Sequence, residues 1–141
     1  EHDLAWSALL YLDLDGFKGI NDTHGHHAGD AVLAEVGARL LASVRADDLV
    51  VRLGGDEFLL IVRDASERDA IEVARRVIAA VEAPTVLVDR DGTTTFVVGA
   101  SVGVCVRAGE LGFDEALRLA DRALGDAKLA GKRRFLVAAT P

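Results

Sequence analysis

Residues Arg52-Leu53-Gly54-Gly55-Asp56-Glu57-Phe58 set a glycine pair and two carboxylates between two apolar runs, Leu49-Val50-Val51 before and Leu59-Leu60-Ile61-Val62 after. Aliphatic and β-branched runs joined by Gly54-Gly55 predict a β-hairpin over 49–62, because glycine accepts the positive φ that a tight turn demands. Such a turn pushes Asp56 and Glu57 out at its tip, where carboxylates reach a cation. Turn chemistry by itself favours glycine and aspartate, so the tip alone also reads as a solvated acidic turn. A second acidic cluster decides between the two.

That cluster lies in Leu10-Tyr11-Leu12-Asp13-Leu14-Asp15-Gly16-Phe17-Lys18-Gly19-Ile20-Asn21-Asp22. Leu9 to Leu12 read as a short strand ending at Asp13. If the strand continues to 15, Asp13 and Asp15 share a face, since side chains alternate with period two. Leu14 then points to the core, and its carbonyl lies beside both carboxylates. Carboxylates, a carbonyl and substrate phosphates are the hard oxygen ligands Mg²⁺ takes. Asp13 and Asp56 therefore form a candidate metal site drawn from two segments. Receiver domains also place acids after a first strand and a lysine late in the chain, and Asp13, Asp56 and Lys128 imitate that scheme. The glycine pair before Asp56 and the strand directly after it argue against the receiver.

The chain has 141 residues, half of them hydrophobic, which suits one domain with a core of its own. No apolar run approaches the roughly 18–20 residues a membrane helix needs. A net charge of −7 disfavours nonspecific binding to nucleic acid or to an anionic membrane. The single cysteine, Cys105, sits in the apolar run 97–106 and reads as a small buried hydrophobe, compatible with a reducing cytoplasm. The lack of methionine, even at position 1, is expected of a piece of a larger protein.

Along the chain, strands and helices alternate without linker or repeat. A strand over 7–12 precedes a short helix around 16–22, and a long helix over 28–44 carries Val32, Leu33, Val36, Leu40 and Val44 on one face. Ser66-Glu67-Arg68-Asp69 has the form of a capping box and opens a helix to about 82, with Ile71, Ala74, Val77, Ile78 and Val81 as its buried stripe. Asp91-Gly92 predicts a second hairpin between 86–89 and 93–106. A last helix presents Phe113, Ala116, Leu117, Ala120, Ala123, Leu124 and Ala127, stops at Gly131, and is followed by a strand over 134–138. Gly125 within it costs some helix stability. Mostly antiparallel pairing with helices outside predicts an α+β fold.

Phosphates need a cradle, and no Gly-x-x-x-x-Gly-Lys loop is present. The turn Gly16-Phe17-Lys18 opens a helix whose free N–H groups suit an anion, with the Lys18 charge beside it. Asn21 and Asp30 are of the types that form turns and open helices. His24, His26 and His27 lie close together without a fourth zinc ligand, and read as incidental loop residues.

The segments Asp13 to Asp22, Gly25-His26 with Gly29-Asp30, Arg52 to Phe58, Ala100-Ser101-Val102-Gly103, and Ala120-Asp121 through Lys128 to Gly131-Lys132 together resemble the GGDEF domain family, the diguanylate cyclases. They stand in family order and cover nearly the whole chain. The resemblance implies a ferredoxin-like, polymerase-palm-like sheet and the joining of two GTP molecules into cyclic di-GMP with release of pyrophosphate. It implies two Mg²⁺ (or Mn²⁺) ions per site held by Asp13, the Leu14 carbonyl and Asp56, with Glu57 as a further ligand. Asp56 and Lys18 then serve catalysis. GTP is held by Asn21, Asp30, Phe17, Lys18, Lys128 and Lys132, the last replacing a more usual arginine. Lys128 and Lys132, four apart, are expected on one side of the final helix.

By the same resemblance, Arg45, Asp48 and Arg76 form a site that binds the product and inhibits. The active form is a homodimer in the cytoplasm, with no nucleic-acid or membrane contact from this domain. The whole chain is a single domain, 1–141, cut from a larger protein and lacking the family's leading segment before the first strand. The rival implication is an idle GTP- or cyclic di-GMP-binding module that regulates an attached phosphodiesterase.

Overall fold

The computed structural model describes residues 5–141, so the start of the chain, where the family's leading segment is expected to be lacking, lies outside the described residues. Strand β1 (Ala8–Asp15) is the centre of a five-stranded sheet in the order β2-β3-β1-β6-β7. The predicted hairpin is β2 (Leu49–Gly54) and β3 (Glu57–Val62), and β3 pairs antiparallel with β1 from Ala8 opposite Val62 to Asp13 opposite Glu57. On the other side β6 (Gly99–Val106) runs antiparallel to β1, and β7 (Phe135–Val137) lies parallel to β6 at the edge. The architecture is α+β with a mostly antiparallel sheet, as the alternation implies.

Period two sorts β1 cleanly. Ala8, Leu10, Leu12 and Leu14 face a core covered by α1 (Phe17–His24), α2 (His26–Ser43) and α3 (Glu67–Glu82). Leu9 faces the opposite side, where α4 (Phe113–Leu129) packs with Trp6, Leu59, Ile61 and Cys105. Each fully buried leucine of this kind contributes about 1.5–3 kcal/mol by leaving water. Asp13 and Asp15 continue the α4-facing series, because β1 does run to residue 15. That parity carries the site. Ser66 Oγ accepts from Asp69 N and Asp69 Oδ2 from Ser66 N, both at 3.1 Å, closing the predicted capping box of α3. The Ser66 amide also holds the Asp69 carboxyl below its ordinary value. At the other end of α3, Arg39 donates to the carbonyls of Ala83 (2.5 Å) and Pro84 (2.8 Å), groups a helix end leaves without partners.

Four local expectations are corrected. The helix expected over 28–44 begins at His26, because Gly25 at φ 88° turns the chain in one residue after α1. His24 and His26 are thus helical, and the His24 ring meets the Phe96 edge at 4.9 Å instead of lying in a loop. The strand expected over 93–106 breaks at 97–98: β4 (Thr85–Asp89) and β5 (Gly92–Phe96) form a separate two-stranded ribbon, and β6 alone joins the main sheet. In α3 the deepest stripe is Ala70, Val73, Ala74, Val77 and Val81, with Ile71 and Ile78 half-buried. Lastly, α4 ends at Leu129, and Gly131, Lys132 and Arg133 follow at φ 127°, 65° and 54°. Lys132 therefore stands beyond the helix in a left-handed turn, not one turn above Lys128. Among the described residues no helix is long and apolar enough to cross a membrane.

Candidate active site

Gly54 and Gly55, at φ 147° and 52°, make the corner of the β2–β3 hairpin in conformations that a side chain resists. Arg52 straps that corner by donating from Nε and a terminal nitrogen to the Gly55 carbonyl at 3.0 and 2.8 Å. The tip then folds onto the end of β1, where the Leu14 amide donates to the Asp56 carbonyl at 3.2 Å. Asp13 and Asp56, 43 positions apart in sequence, thereby become neighbours. Burial raises the Asp56 carboxyl above its ordinary value, and the Asp13 charge pushes it further the same way.

On the face of the sheet that Asp13 shares, α4 brings Lys128, whose ammonium pairs with Asp13 Oδ2. Burial pulls the Lys128 ammonium down, but the hydrogen bond and charge of Asp13, with Asp56 and Glu57 behind it, leave it raised and firmly protonated. Asp13 Oδ1 is buried without a hydrogen-bond partner. A buried carboxylate oxygen left unpaired costs free energy. The Asp13–Asp56 pair concentrates negative charge that a single lysine only partly offsets. Both features fit a divalent cation, and the Leu14 carbonyl is a third oxygen on the same strand end. Among the described residues no three His, Cys, Asp or Glu groups cluster as a closed metal cage. Two carboxylates completed by water and substrate phosphates is the manner of Mg²⁺.

Glu57 is engaged differently. Tyr11, two positions before Asp13 on the same face, donates to Glu57 Oε1 at 3.2 Å. Burial and the neighbouring Glu57 charge push the Tyr11 phenol up to about 12, so it remains a donor throughout the neutral range. Sequence reasoning missed Tyr11, although its parity with Asp13 was the available signal. It also missed the use of Asp15, whose carboxylate accepts from Ser101 Oγ at 2.9 and 3.0 Å and from the Arg133 amide at 3.0 Å.

At the other end of the candidate nucleotide site, Gly29 lets α1 and α2 meet. A Cβ there would lie 1.7 Å from Asn21 Oδ1 and 3.2 Å from Phe17. Asn21 Oδ1 is buried with no hydrogen-bond partner, and Asp30 is exposed next to Gly29. The Phe17 side chain is core, so only its backbone is available to a phosphate, while Lys18 is exposed.

Arg45, Asp48 and Arg76 also come together, lining a cleft of about 340 Å³ with Val44, Asp69 and Glu72. Their environments differ. The Asp48 side chain is 1% exposed, with one oxygen accepting from the Arg45 amide at 2.9 Å and the other from the Arg63 amide at 3.0 Å. Asp48 is thus first a brace for the turn into β2. The Arg45 guanidinium, 61% exposed, donates to the carbonyls of Arg63 and Asp64. Arg76 donates to the Ser43 carbonyl at 2.7 Å, which closes the end of α2.

Comparison with known proteins gives the class to which this mostly antiparallel fold belongs. Residues 2–134 match the family described as "Diguanylate cyclase, GGDEF domain". The chain belongs to that family. It is 43% identical over 127 residues to the response regulator PleD of Caulobacter vibrioides, covering 89% of this chain and 28% of that protein. It is 36% identical to the diguanylate cyclase DosC of Escherichia coli strain K12, covering 90% of this chain and 27% of that one. The chain thus spans little more than a quarter of the length of these two relatives. It also superposes on the crystal structure of the GGDEF domain of DgcB from Caulobacter crescentus in complex with c-di-GMP. That match has a TM-score of 0.82 at 29% identity, covering 94% of this chain and 78% of that one.

Proposed function

We propose that this chain is the cyclase unit of a diguanylate cyclase, condensing two GTP into cyclic di-GMP with release of two pyrophosphates. The observation that carries this reading is the tip of β3 folded onto the end of β1. It brings Asp13 and Asp56 side by side, opposes Lys128, and leaves Asp13 Oδ1 unpartnered. Asp13, the Leu14 carbonyl and Asp56 would hold two Mg²⁺ (or Mn²⁺) ions, with Glu57, steadied by Tyr11, beside them. Such ions activate an attacking oxygen and neutralise a leaving one.

The rest falls to the chain's own groups. In each half-reaction a ribose 3′-oxygen bonds to the α-phosphorus of the other GTP, the bond to pyrophosphate breaks, and the hydroxyl proton passes to Asp56. A carboxylate within reach of the attacking hydroxyl can take that proton as a general base. The N–H groups opening α1, with Lys18, Lys128 and Lys132, grip the triphosphate. Asn21 and Asp30 read the guanine edge. Lysine at 132 keeps the charge of an arginine without its bidentate fork. Arg45 and Arg76 offer guanidinium planes to a guanine base of the product in the 340 Å³ cleft. A cytoplasmic setting, where GTP is available, follows from the same chemistry.

Incubation with GTP and Mg²⁺, followed by chromatography, tests the reading. Cyclic di-GMP and pyrophosphate are expected, whereas GTP that binds and stays intact would sink it. One chain offers one GTP site, so two chains must face each other across a twofold axis. Specific activity is therefore expected to rise with protein concentration. Turnover independent of concentration by a species that sedimentation shows to be monomeric would contradict the dimer.

A further inference from the structure

We infer that Asp15 is a positioning residue: it clamps the turn that carries Lys132 and so sets the phosphate end of the GTP site, an inference that rests on the cyclase reading above. Asp13 and Asp15 share one strand face, yet their carboxylates are differently engaged. Asp13 pairs with Lys128 and keeps one oxygen free of partners. Asp15, 8% exposed, takes the Ser101 hydroxyl on both oxygens and the Arg133 amide on one. One aspartate is open toward a ligand, and the other is closed around protein.

What Asp15 holds is a turn that the chain does not adopt by preference. Lys132 and Arg133, at φ 65° and 54°, are both left-handed, a region that side chains other than glycine, asparagine and aspartate rarely enter. External bonds must keep them there. The Lys132 amide reaches the Ala127 carbonyl at 3.0 Å, and the Arg134 carbonyl accepts from Val102 at 2.9 Å. The Arg133 amide has Asp15. The Arg133 side chain lies across Gly99, where a Cβ would come within 2.7 Å of its Cγ. Without Asp15 the pair relaxes toward negative φ, and Lys132 leaves the end of α4 from which Lys128 reaches Asp13. The clamp explains why a buried acid beside a metal site is not itself spare for metal.

Calorimetry with a nonreactive GTP analogue and Mg²⁺, with hydrogen exchange of the Arg133 amide in parallel, tests this. Asp15→Ala is expected to weaken analogue binding about tenfold and to expose the Arg133 amide. Asp15→Asn, which still offers an acceptor to Arg133 and a donor to Ser101, retains most of both. Gly99→Ala displaces the Arg133 side chain without touching the carboxylate and weakens binding in the same sense, which keeps the test open if Asp15→Ala fails to fold. Should Asp15→Asn lose as much affinity as Asp15→Ala while its Mg²⁺ requirement rises, the charge is what counts and the clamp is overturned in favour of a metal role. If the parent binds the analogue and all three variants match it, the clamp alone falls. If the parent binds no analogue, the cyclase reading falls and takes the clamp with it.

Discussion

Asp56→Asn is expected to lower cyclic di-GMP synthesis by about 10²–10⁴-fold while leaving the fold intact. The substitution preserves shape and removes both a negative ligand and the group that takes the hydroxyl proton. Stability should move in the opposite direction. The folded-state pKa of Asp56 is raised, first by burial and then by Asp13. The native protein therefore holds that proton more tightly than the unfolded chain does. Stability falls as pH rises from the ordinary carboxylate range through the raised value. In the metal-free protein at neutral pH, the Asp56→Asn variant, neutral at every pH, should thus melt at or above the parent, and the difference should vanish in acid. A variant with full activity and unchanged Mg²⁺ dependence would remove Asp56 from the site. One that melts well below the parent would show that the ionised carboxylate supports the fold.

Much of this was legible in the sequence because it depended on local rules. Gly54-Gly55 fixed a corner, Asp91-Gly92 another, Ser66 to Asp69 a helix start, and period two placed Asp13 and Asp15 on one face. The pairing of Asp13 with Asp56 was legible because both sit at element ends that a hairpin packed on a strand brings together. The failures also have local causes. Gly25 turns the chain within a single residue, so α2 opens at once, and Asn21 and Asp22, turn formers by type, lie within α1. The break at 97–98 falls within an apolar stretch, where nothing in Val97 or Val98 separates a strand that stays in the ribbon from one that joins the main sheet. Lys132 was misplaced because spacing by four assumes that the helix continues, and Gly131 ended it first. Asp15 and Tyr11 were passed over for a different reason: what they touch, Ser101, Arg133 and Glu57, becomes near only once the sheet order is known.

Asp48 shows most sharply how a motif and its environment differ, and its substitution should separate brace from ligand. A product site built on Arg45 and Asp48 suggests that alanine at either position relieves inhibition alike. The geometry predicts otherwise. Arg45→Ala removes an exposed guanidinium, and the carbonyls of Arg63 and Asp64 that it served can turn to water. Its melting temperature should hardly move. Its affinity for cyclic di-GMP should fall by about 1.5–3 kcal/mol, the worth of a hydrogen bond to a charged group. Product should then no longer slow the variant, whereas it slows the parent noncompetitively with GTP, since the cleft lies away from the carboxylate tip. Asp48→Ala instead strips two amides, Arg45 N and Arg63 N, of the only carboxylate they share. At about 1.5–3 kcal/mol for each hydrogen bond to a charged group, that loss is a large part of a domain's net stability of about 5–15 kcal/mol. Asp48→Asn keeps one acceptor and should fall between. Calorimetry with cyclic di-GMP beside thermal melting decides the matter. Equal product affinity in the Arg45→Ala variant and the parent would reduce the cleft to a solvated charge cluster. An Asp48→Ala protein that melts with the parent would show that the turn into β2 stands without its brace.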